Sequence, residues 1–263
     1  DDKISLEYLW NKREKATCDI CKSSEFYIIG RWRVRCKSCR KDLSPLKDTR
    51  FTQLRISPSQ WLSLIKLFEL SVSARKAAKD VALSYKTTLG AYGILRRVLV
   101  EELARTDRLL KGELEADESY FGGRRKGKRG RGAGHKTIVF GILERGGKVS
   151  VSIVTDVKAE SLMSETVRKV RRGSIVYTDK WRGYDSLMFC GYRHLNIDHR
   201  YKFKQGKVYI NGIEGFWAFA KERLINHHGI SKEKFLYYIK EMEWRYNNRE
   251  KDLFEVLVDL MLD

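Results

Sequence analysis

The sequence predicts an α/β protein in three parts: a cysteine-clasped ribbon over residues 1–50, a helical segment over 51–111 and a mixed strand-and-helix domain over 112–263. Three observations predict it. Four of the 5 cysteines fall as Cys18-x2-Cys21 and Cys36-x2-Cys39. From Ser57 to Leu110 apolar residues recur at helical spacing. Beyond Lys111-Gly112 the apolar period drops to that of strands, and three strand-like runs give way to alternating helices and strands. A chain of 263 residues holds one sizeable core plus small modules, at roughly 100–200 residues per domain.

The two close cysteine pairs supply four thiolates. Their tetrahedral placement around a zinc ion holds together a segment too small to fold on its own core. A disulfide reading does not suit a reducing compartment. Between the pairs, Phe26 to Arg35 is strand-forming and broken at Gly30, as in a hairpin with one pair at each end, a zinc ribbon. Arg31, Arg33, Arg35, Lys37, Arg40 and Lys41 make it basic, and Trp32 is expected to pack the hairpin. Cys190, alone beside Phe189 and Gly191, reads as a small buried hydrophobe.

A Ser57-Pro58 start opens a helix with apolar Trp61, Leu64, Ile65, Phe68 and Leu70. A second segment, Ser73 to Leu83, and a third, Leu89 to Leu103, follow across Ser84-Tyr-Lys-Thr-Thr. This is the layout of a helix-turn-helix. Ser84 caps the second helix, and Tyr85, Lys86, Thr87 and Thr88 occupy the turn that faces base edges in such motifs. A plain helical hairpin is the other reading. Charge favours DNA: 53 Lys and Arg stand against 34 Asp and Glu, a net +19, which points to a polyanionic partner. No apolar run reaches the ~18 residues of a membrane span, and the N-terminus has no signal-peptide core. An intracellular protein with no membrane partner is expected, in the bacterial cytoplasm or nucleoid, or in the nucleus of a eukaryote.

Strands are expected at 113–121, 137–144 and 148–155, a helix at 159–171, strands at 174–179 and 192–197, then helices at 211–224, 231–248 and 251–262. This order is the layout of an RNase H-like fold. Between the first two strands, Gly122 to Lys136 alternates glycine with base. Its Arg124, Arg125, Lys126, Lys128, Arg129 and Arg131 suit a clamp on DNA phosphates. Asp117 stands in the first strand among Leu114, Ala116, Tyr120 and Phe121, where burial raises a carboxyl pKa unless a cation offsets it. In the alternative, Glu113, Glu115 and Asp117 share one face of the strand and meet water. Asp179 ends the fourth strand and Glu214 opens the next long helix. Three carboxylates from separate elements can hold two Mg2+ ions about 3.5–4 Å apart for work on a phosphodiester. Asn211-Gly-Ile-Glu214 also reads as a capping box. Lys221, two helical turns beyond Glu214 on the same face, suits a DNA phosphate.

Asp117 in Glu-Ala-Asp-Glu-Ser-Tyr-Phe-Gly-Gly, the Gly-Lys-Arg-Gly-Arg-Gly loop, Asp179 in Val-Tyr-Thr-Asp, and Ile210-Asn-Gly-Ile-Glu-Gly-Phe-Trp217 together resemble bacterial insertion-sequence transposases related to the eukaryotic Merlin elements. The resemblance covers about 15–250, ribbon and helix-turn-helix included. It implies a DDE transposase with Asp117, Asp179 and Glu214 as ligands of two Mg2+ or Mn2+ ions. The 34 residues between Asp179 and Glu214 are a spacing similar to that of other DDE enzymes. Relatives make Asn211 a second candidate at the site. Asp198-His199 resembles their Asn-His, making His199 a further candidate. Tyr209 stands where relatives often carry His. The expected activity is cut-and-paste transposition. Ribbon and helix-turn-helix, with Cys18, Cys21, Cys36 and Cys39 on structural zinc, would bind the terminal inverted repeats, and the catalytic domain would cleave and join strands on element and target DNA as a dimer or larger assembly. A transposase-derived DNA-binding protein without cleavage and a nuclease without joining are the competing readings.

Overall fold

A computed structural model describes residues 1–13, 17–30, 32–122, 136–179, 191–197, 209–227 and 229–263. In chain order the elements are α1 (Asp2–Lys12), β1 (Phe26–Ile29), β2 (Arg33–Cys36), β3 (Asp42–Leu43), α2 (Pro58–Glu69), α3 (Ala74–Asp80), α4 (Tyr85–Arg105), β4 (Glu113–Phe121), β5 (Thr137–Glu144), β6 (Val149–Val154), α5 (Ala159–Lys169), β7 (Ile175–Asp179), β8 (Arg193–Ile197), α6 (Asn211–Leu224), α7 (Lys232–Asn247) and α8 (Leu253–Leu262). They form two compact units, one of Asp1–Glu102 with Arg249–Asp263, the other of Leu103–Asn248. Helix α8 belongs to the first unit with α1. The reason is in its side chains. The α8 acids Glu255 and Asp259 both reach Lys12 of α1, at 2.5 and 2.8 Å, and Tyr8 donates to Glu255 at 2.9 Å.

Within the first unit β1, β2 and β3 form an antiparallel sheet, with Phe26 opposite Cys36 and Ile29 opposite Arg33. Trp32 does not pack this hairpin. It is 39% exposed, its φ is +58°, and its indole N–H donates to Asp2 at 3.1 Å. A residue at a tight turn has no neighbouring strand to cover it. Helix α2 begins on a capping box in which Ser57 and Gln60 satisfy each other's backbone N–H, with Pro58 in the first turn. Its Trp61, Leu64, Ile65 and Phe68 are buried, as their spacing requires. Ser84 caps α4, accepting from the Thr87 N–H at 3.0 Å. Among the described residues no helix is long and apolar enough to cross a membrane.

The second unit is a mixed five-stranded sheet in the order β6-β5-β4-β7-β8. β4 pairs antiparallel with β5, and β5 with β6; β4 and β7, then β7 and β8, run parallel. Side chains of opposite parity build two cores. Leu114, Ala116, Phe140, Ile142 and Val176 face one way with Leu162 of α5. Phe121, Val139, Leu143, Val149, Val151 and Tyr177 face the other, under Ile213, Phe216 and Trp217 of α6 and Ile239 and Met242 of α7. Strand β6 forms one border of the sheet, and α7 lies along it. Asn247 accepts from Val149 N–H at 2.8 Å and donates to its carbonyl at 2.9 Å. One and two turns earlier, Glu243 accepts from Val151 N–H at 3.1 Å and Lys240 donates to the Val151 carbonyl at 2.7 Å.

Candidate active site

The parity that makes two cores also sorts the acids. Glu113, Glu115 and Asp117 share the face under α6, as alternation dictates, but they are not a plain solvated row: Glu115 is buried, and Glu113 and Asp117 are half-buried. Glu115 is 1% exposed. Its Oε1 accepts from the Arg145 guanidinium at 3.0 Å and its Oε2 from the Ile213 backbone N–H at 3.0 Å. Arg145 also donates to Glu113 at 2.7 Å and to the Tyr209 carbonyl at 2.6 Å. Burial works against the charge of Arg145, but the bonds to Glu113 and Glu115 outweigh it and hold the guanidinium above its ordinary pKa.

Asp117 sits at the middle of β4, where Trp217 of α6 donates its indole N–H to the carboxylate at 3.0 Å. Gly141, its partner on β5, makes that contact possible: a Cβ there would lie 2.6 Å from the Trp217 ring. The β4–β7 register pairs Glu113 with Ile175 and Glu115 with Tyr177. Carried two residues past its last pair, that register runs from Asp117 to Asp179, whose charge acts on Asp117. Burial first, then the charges of Glu118 and Asp179, push the Asp117 carboxyl up to about 7. A buried carboxyl beside a second one is a donor set that a hard divalent cation would relieve.

Glu214 lies exposed in the first turn of α6. The capping box anticipated for it does not form: α6 begins at Asn211, the cap position is Ile210, and no side chain of the segment bonds there. Glu115 serves the helix start instead, through the Ile213 N–H. The flank of α6 opposite Glu214 carries Phe216 and Phe219, which meet Tyr246 of α7 at 5.3 and 6.0 Å between ring centroids. Glu214 is on the flank away from α7. Lys221, exposed on that flank, has its ammonium 5.9 Å from the Phe121 ring centroid. Asn211 is exposed at the first helical position.

In the first unit Cys18, Cys21, Cys36 and Cys39 converge, all four Sγ atoms within 4.8 Å of one another. Cys18 to Cys39 and Cys21 to Cys36 are each 3.5 Å, close to the ~3.8 Å that tetrahedral Zn–S bonds of about 2.3 Å give. Each pair is one turn of a repeated design. Lys22 N–H reaches the Cys18 carbonyl at 2.9 Å and Arg40 N–H the Cys36 carbonyl at 3.1 Å, and Lys22 and Arg40 have φ of +59° and +62°. The backbone N–H of Cys21 holds the Cys18 thiol below its ordinary pKa, and that of Cys39 holds Cys36 down to about 6. These four residues fit a zinc ion.

Of the helix-turn-helix contacts, Tyr85 and Lys86 are exposed. Thr87 is half-buried with its hydroxyl 2.8 Å from Ser84 Oγ. Thr88 is fully buried, so it has no surface to offer a base; as the fourth residue of α4 it falls on the inward stripe with Ala91, Tyr92 and Leu95. Arg124, Arg125, Lys126, Lys128, Arg129, Arg131, His199 and Cys190 lie outside the described residues. Sequence reasoning missed Glu115 and Arg145 as a pair.

Residues 109–247 match the ISXO2-like transposase domain. An uncharacterized transposase-like protein of Haemophilus influenzae is 42% identical over 115 residues, 43% of this chain and 94% of that one. An uncharacterized protein in transposable element ISH50 of Halobacterium salinarum is 26% identical over 260 residues, 89% of this chain and 86% of its own. Among solved structures, the Mos1 strand transfer complex aligns at 12% identity over 75% of this chain and 74% of that chain, with a TM-score of 0.33.

Proposed function

The chain belongs to the ISXO2-like transposase domain family, and from that premise we propose that it cuts and joins DNA with Asp117, Asp179 and Glu214 as its catalytic acids. The observation that supports the reading is that Asp179 acts electrostatically on the largely buried Asp117, on the face of the sheet covered by the helix bearing Glu214. Two antiparallel strand pairs followed by two parallel ones, in the order β6-β5-β4-β7-β8, support an RNase H-like assignment for the second unit. Two Mg2+ or Mn2+ ions held by the three acids would activate the attacking oxygen and stabilise the leaving one. Asp117 would bind them as its carboxylate, oriented by the Trp217 N–H. Glu214, exposed and free of a capping role, faces the approaching substrate, and Lys221 on the same flank holds a backbone phosphate. Asn211 and His199 are further candidates for the same chemistry.

Recognition of the terminal repeats falls to the first unit. Zinc on Cys18, Cys21, Cys36 and Cys39 holds the ribbon, and α3 and α4 serve as a helix-turn-helix with Tyr85 and Lys86 outward. The net charge of +19 supports a DNA partner, and paired ends call for two copies or more.

The test is Mg2+-dependent cleavage and joining of a labelled element end. Asp117→Asn, Asp179→Asn and Glu214→Gln are each expected to abolish both steps while DNA binding survives. Full activity in Glu214→Gln removes it from the catalytic set, and a wild-type chain that binds its matched end without cutting it is a DNA-binding protein instead. Neutralising Arg124, Arg125, Lys128 and Arg129 is expected to flatten the log–log salt dependence of binding by a few units, at about 0.9 per phosphate contact.

A further inference from the structure

We infer that Arg145 and Glu115 are positioning residues for the carboxylate site, fixing the start of α6, and with it Glu214, against the strand that carries Asp117. The inference rests on the reading of that site given above. Glu115 is two residues before Asp117 on the same face of β4, and its Oε2 accepts from the N–H of Ile213, the residue before Glu214. One buried carboxylate, carried on the strand of Asp117, thus bonds the backbone beside Glu214. Gly212 leaves room for this approach, since a Cβ there would lie 2.8 Å from Glu115 Oε2.

Arg145 fixes the orientation of Glu115. Its guanidinium is sandwiched between the rings of Tyr177 and Tyr209, 3.8 and 3.9 Å from their centroids. Its Nε binds Glu115, its Nη1 binds Glu113, and its Nη2 binds the Tyr209 carbonyl just ahead of α6. A planar fork stacked on both faces and bonded along its edge has one orientation, which a lysine cannot reproduce. Stability alone is a weak reason for such an arrangement, because a buried ion pair contributes little over a well-packed apolar replacement. Its geometric effect is specific: it ties the end of β5, the middle of β4 and the first turn of α6 to one point.

The experiment compares wild type with Arg145→Lys and Glu115→Gln in the full chain. Both variants are expected to melt below wild type, since each leaves one partner of a buried pair without its match, while the folded protein keeps a DNA affinity close to wild type. Single-turnover cleavage of a labelled element end is expected to fall about 10- to 100-fold, the cost of a misplaced catalytic group, with the half-saturating Mg2+ concentration several-fold higher. The Ile213 amide is expected to exchange hydrogen faster. Tyr209→Leu, which removes one ring face and leaves both carboxylates paired, replaces Arg145→Lys if the latter does not fold, with the same direction of change. Unaltered Mg2+ half-saturation together with a protected Ile213 amide overturns the inference. Binding of Mn2+ alone separates the two levels. Wild type that neither binds Mn2+ nor cleaves refutes the active-site reading, whereas wild type and variants binding Mn2+ equally tightly refute only the positioning.

Discussion

The cysteine cluster of the first unit and the acid pair of the second are both candidate metal centres, but they are built in opposite ways. All four thiols lie between Cys18 and Cys39, on two backbone turns that repeat each other. Around them β1 is only half-buried along its length, and Val34 with Cys18 and Cys36 supplies most of what is buried. Asp117, Asp179 and Glu214 come from three elements that a hydrophobic core on each face of the sheet already holds. A centre closed by local turns leans on its ion to fold, while a centre set on a finished sheet folds without one and bears the cost of its own charge.

The largest effect should come from removing the ion on which folding depends. Structural zinc sites contribute on the order of 10 kcal/mol, so chelation or Cys36→Ser is expected to unfold residues 18–43 while the second unit melts unchanged. Hydrogen exchange read separately over the two units checks this, and co-operative loss of both would erase the contrast. At the acid site the sign reverses. Asp117 has a folded pKa of about 7, above its ordinary 3.8. The stability of its protonated form is complete below pH 4 and is lost as pH rises through about 7. Without metal, Asp117→Asn is therefore expected to be more stable than wild type at pH 8 by roughly 4 kcal/mol, with little difference at pH 4. Melts across that range decide it. Divalent cations should raise the wild-type melting temperature above pH 7 and lose that effect below it.

A smaller effect concerns the packing that buries Asp117. Gly141→Ala drives a Cβ into the Trp217 ring, at 2.6 Å, and is expected to cost about 1–3 kcal/mol. Indole fluorescence should report a displaced Trp217. The smallest effect returns to the ribbon. Lys22 holds a φ of +59° that glycine adopts without strain, so Lys22→Gly is expected to stabilise the zinc-bound ribbon by about 0.5–1 kcal/mol. A loss instead would mean that the lysine side chain contributes more than its backbone strain costs.

Much of this was legible in sequence because the signals were local. The strand over 113–121 and the helix over 211–224 lie where alternation and helical spacing put them. The four cysteines converge as their spacing predicts. What failed to show was long-range. Glu115 alternates with Asp117 and reads as a solvent-facing acid, because its partner Arg145 stands in a turn 30 residues on. Asn211-Gly-Ile-Glu214 carries a good local cap signal, yet a carboxylate from another strand takes the position. Motif analogy places Thr88 outward, although its helical phase with Ala91, Tyr92 and Leu95 points inward. Helix α1 buries only Leu6 and Leu9, too few to register as an apolar stripe.

The row Lys240, Glu243 and Asn247 along β6 has a consequence for how copies of this chain can meet. The outermost strand of a sheet offers unpaired N–H and carbonyl groups to any other strand, a common route to aggregation. Here the N–H and carbonyl of both Val149 and Val151 are occupied by side chains of one helix. A second molecule cannot extend the sheet across this border without first peeling α7 away. Any strand-to-strand contact between copies is therefore left to other borders, such as β8, and Asn247→Leu, which bares both Val149 groups, is expected to turn a closed border into an adhesive one.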